Sequence, residues 1–367
     1  MTMEWNPVYI HDINCVTPLG NDLETTWDQL LLGNTGIAKQ KMDPLGEIFV
    51  AKVHQAVLPD LSIAYTLLER MFLCAGMPVV KNHAPGPRTA LVLSTTKGNV
   101  DYLKQGDFQQ AGLATLATKI AHYLGFQTKP VVVSHACVSG SLAVSVAKRL
   151  LQMDLYDDAI ILAGDLVNSF VVSGFNAFQA MSALPCRPFD TARSGVSLGE
   201  AAACIYMSRD KGPFRILGEG GINDANHISG PSRTGEGLYR SVIAAVSEAQ
   251  VDLQSIDYLC AHGTATQYND EMEAIAFDRL GLSQVPVNSL KGYFGHTLGA
   301  SSLLELVIAM RSMQESIILS SKGFEKLGVS RALNVVDRQV NIEINRLLKT
   351  SSGFGGSNVA ILIEKVC

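Results

Sequence analysis

Two kinds of apolar pattern alternate along the chain. Short, almost unbroken apolar runs occur at Ala90–Ser94, Val131–Ser134, Ala159–Gly164, Tyr258–Ala261 and Val359–Glu364. They predict strands covered on both faces, because a half-exposed strand would alternate with polar residues. Between them lie segments whose apolar residues recur at i, i+3 and i+4, which predicts helices over Leu142–Met153, Leu238–Gln250, Met272–Leu280 and Leu303–Met313. Leu238, Val242, Ile243 and Val246 form one such stripe. This alternation predicts an α/β protein with mostly parallel central strands. Runs such as Ala159–Ala163 and Ala201–Met207 are far too short to cross a bilayer.

The pattern also repeats. A shift of 156 residues carries Pro130–Ser134 onto Pro286–Leu290, Gly140–Ser145 onto His296–Ser301, and Gly199–Ile205 onto Gly355–Ile361. A period this long is foreign to solenoids. It predicts two similar halves, 1–208 and 209–367, joined near Arg209–Pro213 and packed about a pseudo-dyad. The dyad would bring the turn at Cys137 and the turn at His296 to one central site.

Composition narrows the setting. The chain has 367 residues, is 47% hydrophobic and 17% charged, and carries a formal charge of −5. That is globular, and without a basic tract it argues against nucleic-acid binding. No basic opening followed by an apolar stretch marks a secretory signal, and no membrane association is expected. The seven cysteines (15, 74, 137, 186, 204, 260 and 367) are odd in number and scattered. They suit a reducing cytosol and form no zinc motif, so no metal is expected.

Cys137 follows the β-branched run Val131–Val133 and precedes a helical pattern, with only small residues between. A thiol there would sit at a helix N-terminus, where orphan N–H groups and the dipole favour thiolate. The alternative is a small buried apolar residue. Three further segments offer partners. Ala261–Thr266 sets His262 among Gly263, Thr264 and Thr266, with Asp270 and Glu273 opening the next helix; those acids also suit a helix N-terminus on dipole grounds alone. Asn288–Ala300 holds Lys291 and His296 in a glycine-rich strand-to-helix turn, where the backbone can approach a partner closely. Ser351–Asn358 is a glycine loop that leads into a strand, a weak phosphate cradle.

These blocks, with Val16–Gly20, Arg187–Asp190, Arg193, Gly195, Gly199 and Glu200, occur in an order that resembles the β-ketoacyl-acyl carrier protein synthases of the thiolase superfamily, the group of the elongating KAS I and KAS II enzymes. The resemblance implies a five-layer α-β-α-β-α sandwich of two pseudo-symmetric βαβαβαββ halves, and usually a dimer, with itself or with a related ketosynthase-like subunit. It implies decarboxylative Claisen condensation of an acyl group held on Cys137 with malonyl-acyl carrier protein. No cofactor is implied, since substrates arrive on the phosphopantetheine of acyl carrier protein. His262 and His296 would donate hydrogen bonds to the malonyl thioester oxygen. Lys291, Asp270 and Glu273 would form a supporting network. Backbone N–H groups of Cys137 and Phe354 would make an oxyanion hole, with Phe354 also the gate. Thr264 and Thr266 would hold the pantetheine arm.

Departures from the family pattern point to the acyl pocket. His135 stands where the family has a small residue, Ser352 replaces the first Phe of the Phe-Gly-Phe-Gly-Gly loop, and Ala201 replaces a Gly. Length is reduced between Ser94 and Pro130 and near Ile222–Gly237. A reshaped tunnel with His135 and Ser352 on its walls suggests a specialised pathway handling a polyene, aromatic or branched chain. Lys119, Lys148 and Arg149 have the spacing of exposed residues that could dock a carrier protein. Two rival readings are a non-catalytic chain-length factor, which would normally lack the nucleophile, and a thiolase acting on coenzyme A esters, which would normally carry a second cysteine in the C-terminal half.

Overall fold

The computed structural model describes residues 5–42, 46–54, 58, 65–225 and 230–366. Cys367 and residues 226–229 of the shortened Ile222–Gly237 stretch lie outside the described residues.

Ten strands form one sheet: β1 (Val8–Val16), β2 (Thr89–Ser94), β3 (Val131–Val133), β4 (Asp158–Asp165), β5 (Ala201–Ser208), β6 (Phe214–Asn223), β7 (Tyr258–Cys260), β8 (Val287–Asn288), β9 (Arg346–Ser352) and β10 (Ser357–Lys365). Their order is β8-β7-β9-β10-β6-β1-β5-β4-β2-β3. Two five-strand runs with the same order therefore meet at β6 and β1. They are joined by only three antiparallel pairs, Val8 with Ile216, Tyr9 with Arg215 and Ile10 with Phe214. The chain crosses between the runs from Ser208 to Phe214.

The direction of the central strands differs from the expectation. All five pairings from β9 across to β4 are antiparallel. Parallel pairing is confined to the flanks, β8-β7-β9 and β4-β2-β3. An unbroken apolar run reports that both faces are covered, and an antiparallel strand between two helical layers meets that condition equally well.

Helices pack around the sheet, among them α1 (Leu67–Asn82), α2 (Leu113–Tyr123), α3 (Ser139–Gln152), α4 (Ser169–Ala177), α5 (Glu236–Ala249), α6 (Gln267–Arg279) and α7 (Ser301–Glu315). Strand side chains alternate between separate cores, as the period of two requires. On β4, Ala159, Ile161 and Ala163 face the central core with α3 and α7, while Ile160 and Leu162 face α1 and α2. On β10, Val359, Ile361 and Ile363 face the same central core, while Ala360 and Leu362 face α5 and α6. Helix, five-strand run, helix pair, five-strand run and helix give the five layers.

β3 and β8, and likewise β5 and β10, hold matching places in the two runs and are spaced by the expected shift. β4 and β9 also match in place but not in spacing. The first half needs only Gln152 to Asp158 to leave its helix and start β4, whereas the second spends Glu315 to Arg346 and pairs Ile317–Ile318 with Val340–Asn341 on the way.

α3 and α7 meet at the backbone. A Cβ at Gly140 would lie 2.7 Å from the Leu303 backbone nitrogen, and Ser302 Oγ accepts from the Ser141 N–H at 2.8 Å. Only glycine permits that approach, which draws the turns at the starts of both helices together.

Candidate active site

Cys137 lies between β3 and α3 on a turn whose Ala136 has φ +46°. A non-glycine residue in that region is uncommon and strained. Ser139 holds the turn: its Oγ accepts from the His135 N–H at 2.7 Å and donates to the Ala136 carbonyl at 2.6 Å. The thiol is buried, and burial pushes it up to about 11. Lys291 and Lys97 pull the other way, while Asp165 and Glu305 reinforce the rise. The thiolate expected from the helix end is therefore corrected. Removal from water disfavours the charged form at this position.

His262 follows β7. Its N–H donates to Glu273 Oε1 at 2.8 Å, the Gly263 N–H to Glu273 Oε2 at 2.6 Å, and the Thr264 N–H to Asp270 Oδ1 at 2.9 Å. Asp270 Oδ2 also accepts from the Phe189 N–H at 2.7 Å. Both acids stand on α6 and fix the His262 loop by its backbone. Burial, then the adjacent Asp270, pushes Glu273 up to about 7 against the N–H groups of Gly263 and His262. Asp270 is likewise raised by burial.

Lys291 was expected to join Asp270 and Glu273, but the structure gives it a different acid. Its Nζ donates to Glu305 Oε1 and to the His262 carbonyl, and lies 3.3 Å from His262 Nδ1. Glu305 Oε2 accepts from Lys349 Nζ at 2.7 Å. Burial alone would raise Glu305, yet Lys291 and Lys349 hold it below the usual carboxylate range. Neither Glu305 nor Lys349 stands out in the sequence as a site residue. Glu305 sits in the apolar run Leu303–Met310, and one acid in an otherwise apolar helix face was the available signal. Lys349 lies in β9, which the apolar pattern does not predict.

His296 precedes α7. The Leu298 N–H donates to its Nδ1 at 3.2 Å, and its Nε2 is buried without a hydrogen-bond partner. Burial, then Lys291, Lys97 and Lys349, holds its pKa well below the ordinary value. The ring is thus neutral, and because Nδ1 accepts, the proton is on Nε2. The ammonium of Lys291 at His262 Nδ1 imposes the same tautomer there. Cys137 Sγ and one ring nitrogen from each histidine all lie within 4.8 Å of one another. The two rings meet edge to face, with centroids 5.3 Å apart.

A cysteine with two histidines could bind a metal by distance alone. A metal-bound imidazole, however, donates its second ring N–H to an acceptor. In both of these rings the second nitrogen faces a donor, so the set fits two N–H donors and does not fit a metal.

The three side chains open into a cavity of about 380 Å³. Thr264, Thr266, Ser352, Gly353 and Phe354 line it, as do Phe175 and Phe178, which sequence reasoning missed. The hydroxyls of Thr264 and Thr266 are 2.8 Å apart. Ser352 Oγ donates to Asn358 Oδ1 at 2.7 Å. A Cβ at Gly353 would be 3.2 Å from the Cys137 nitrogen, which places the glycine loop against Cys137. The Phe354 ring centroid lies 5.8 Å from that of Phe175 and 5.5 Å from that of Phe178.

His135 is corrected as a cavity wall: it is exposed at the surface and absent from the lining. Residues i and i+2 share a face only in an extended strand, and the positive φ at Ala136 breaks that geometry before Cys137. The docking candidates change too. Lys148 is only 2% exposed and pairs with Glu248 at 2.7 Å; Arg149 pairs with Glu219 and Glu248; Lys119 pairs with Glu69 at 2.7 Å.

Residues 40–212 match the model described as "Beta-ketoacyl synthase, N-terminal domain" and residues 215–325 the one described as "Beta-ketoacyl synthase, C-terminal domain". The chain is 26% identical, over an alignment of 423 positions covering 98% of it and 99% of the relative, to a putative mitochondrial 3-oxoacyl-[acyl-carrier-protein] synthase of Schizosaccharomyces pombe. It is 30% identical to 3-oxoacyl-[acyl-carrier-protein] synthase 2 of Rhizobium meliloti over 275 residues, covering 69% of this chain and 64% of that one. The fold matches a chain of the ketosynthase–chain length factor complex of Xenorhabdus doucetiae with a TM-score of 0.91 and 25% identity over 98% of both chains. With Cys137, His262 and His296 converging in one cavity, the chain belongs to the β-ketoacyl synthase family, the condensing enzymes of the thiolase superfamily that join acyl groups to malonyl units on acyl carrier protein.

Proposed function

We propose that Cys137 is the acyl-carrying nucleophile and that His262 and His296 are the donors that stabilise decarboxylation. In the first half-reaction Cys137 sulfur attacks an acyl-carrier thioester; the new C–S bond replaces the old one, and the thiol proton leaves with the carrier thiol. Malonyl carrier then enters. Loss of CO₂ leaves an enolate whose oxygen accepts from the Nε2–H groups of both histidines. Its carbon attacks the Cys137 thioester, a C–C bond forms, and the released sulfur regains a proton from solvent. The 3-oxoacyl product departs on the carrier. The carrier's phosphopantetheine supplies both acyl groups, so the reaction needs no cofactor. Backbone N–H groups of Cys137 and Phe354 receive the oxyanion of acyl transfer. Thr264 and Thr266 guide the pantetheine arm. Asp270 and Glu273 brace the loop of His262, and Lys291 fixes its tautomer.

The observation that carries this reading is the convergence of the Cys137 sulfur with a ring nitrogen of each histidine, while the Nδ1 of each ring meets a donor. It also favours a catalytic subunit over a chain-length factor, which has no use for such a pair. A thiolase role is disfavoured because Ser351–Asn358 holds no cysteine. We further read 1–208 and 209–367 as the two halves, and the partner as a second copy or a related ketosynthase-like subunit; the Xenorhabdus relative is itself held in such a complex. The six described cysteines are unpaired thiols, which supports a reducing, cytosolic setting. Among the described residues no helix is long and apolar enough to cross a membrane.

Intact-protein mass spectrometry with acyl-carrier thioesters tests the assignment. We expect one acyl mass on the wild type and none on Cys137→Ala, together with loss of condensation. An acyl adduct or residual condensation in Cys137→Ala removes Cys137 from the mechanism.

A further inference from the structure

A second cavity adjoins the first. It measures about 750 Å³ and shares Phe175, Phe178 and Phe354 with the cavity of Cys137. Its remaining wall includes Phe170 and two cations, Lys97 and Lys104. A chain held on Cys137 that passed the three aromatic rings would enter this space.

The two cations differ. Lys104 is neutralised by Asp101 at 2.8 Å and donates to Ser169 Oγ at 3.2 Å. Lys97 Nζ donates to Thr96 Oγ1 at 2.9 Å and, among the described residues, forms no ion pair. The acid nearest in the chain of bonds, Asp165, is already occupied. Its Oδ1 accepts from Thr95 Oγ1 at 2.9 Å, and its Oδ2 accepts from the N–H of Thr96, the hydroxyl of Thr96 and the N–H of Gly299 at 2.8–2.9 Å. Lys97 is thus a half-buried ammonium on an aromatic wall with free donor capacity. A hydrocarbon chain in this space would strip water from the charge and return nothing. A carboxylate would replace that water with a charge-assisted hydrogen bond.

We propose that Lys97 determines acyl specificity, selecting chains whose end remote from the thioester carries a carboxylate. The inference rests on the reading of Cys137 as the acyl-carrying residue. It changes no step of the reaction: the thioester still exchanges onto Cys137 sulfur, the thiol proton still leaves with the carrier, and the remote carboxylate is only bound.

The test measures acylation of Cys137 in the full-length protein by intact mass. Three pantetheine thioesters of equal length are offered, ending in methyl, carboxylate and primary amide. We expect the wild type to load the carboxylate-ended chain about tenfold faster than the methyl-ended one, a modest ratio for a site only half removed from water. The amide should resemble the methyl chain. Lys97→Met should reverse the preference, and Lys97→Arg should keep it. Equal loading of carboxylate and methyl chains by the wild type, equal loading of carboxylate and amide, or an unchanged preference in Lys97→Met overturns the proposal. Failure of a folded wild type to load any of the three overturns the acyl-enzyme reading and this proposal with it, a result distinct from loading all three alike.

Discussion

The two strand-to-helix turns that form the site occupy matching places in the two five-strand runs, yet they are built differently. The first passes from β3, ending at Val133, to α3 at Ser139, and is held by one neutral hydroxyl. The second spends Asn288 to Ser301 on the same connection, with a short helix at Lys291–Phe294 and a 3₁₀ turn at Leu298–Ala300. That extra backbone delivers the imidazole of His296, whose Nδ1 accepts from the Leu298 N–H, and a buried ammonium, Lys291, which the Glu305–Lys349 pair anchors beside His262. The difference teaches what each role requires. The first turn presents Cys137 with a single hydroxyl for support. An imidazole that donates from one nitrogen needs the other occupied: a backbone N–H does this at His296, and a buried ammonium with its own acid does it at His262.

The energetic asymmetry is the sharpest way to break this comparison. Glu305→Ala leaves two fully buried ammonium groups without their acid and should lower unfolding free energy by about 3–5 kcal/mol. Ser139→Ala, at the other turn, should cost only about 1–2 kcal/mol. Denaturant titration of both variants measures the contrast, and equal costs would erase it.

Next in size is the division of labour. His296→Ala should cut malonyl-thioester decarboxylation by about 10²–10³, the usual loss for one oxyanion donor, while acylation of Cys137 stays within about tenfold. Paired single-turnover assays separate the steps. An equal fall in both would make His296 a partner in acyl transfer rather than a donor to the enolate.

The smallest effect concerns the resting state of the nucleophile. With the thiol pushed up to about 11, the thiolate fraction below that point rises about tenfold per pH unit. Iodoacetamide labelling of Cys137 should follow, climbing steadily from pH 7 to 9. A plateau below pH 8 would restore the thiolate that the helix end alone suggests.

Much of the candidate site was legible. Cys137, His262, Lys291 and His296 each stand beside glycine or small residues at the end of an apolar run, where a strand hands the chain to a helix. Phe354 and Ser352 were visible through their glycine loop. What escaped had no local signature. Glu305 and Lys349 carry charge inside elements that otherwise read as core, and their meaning appears only when α7 and β9 close around Lys291. Phe175 and Phe178 belong to a short, loosely patterned segment whose only distinction is the cavity beside it. Lys148 carried a misleading signature: its position on α3 reads as exposed, but Glu248 on α5 and Glu219 on β6 close over it.

The sequence by itself determined the alternating elements, the internal repeat and the family, and singled out Cys137, because these depend on residue type and spacing along one segment. Only the tertiary structure decided which way the central strands run, that burial raises the Cys137 thiol, which acid Lys291 pairs with, and what the Nδ1 of each imidazole meets. Each of those depends on desolvation and on contacts between residues far apart in the chain, which spacing alone does not encode.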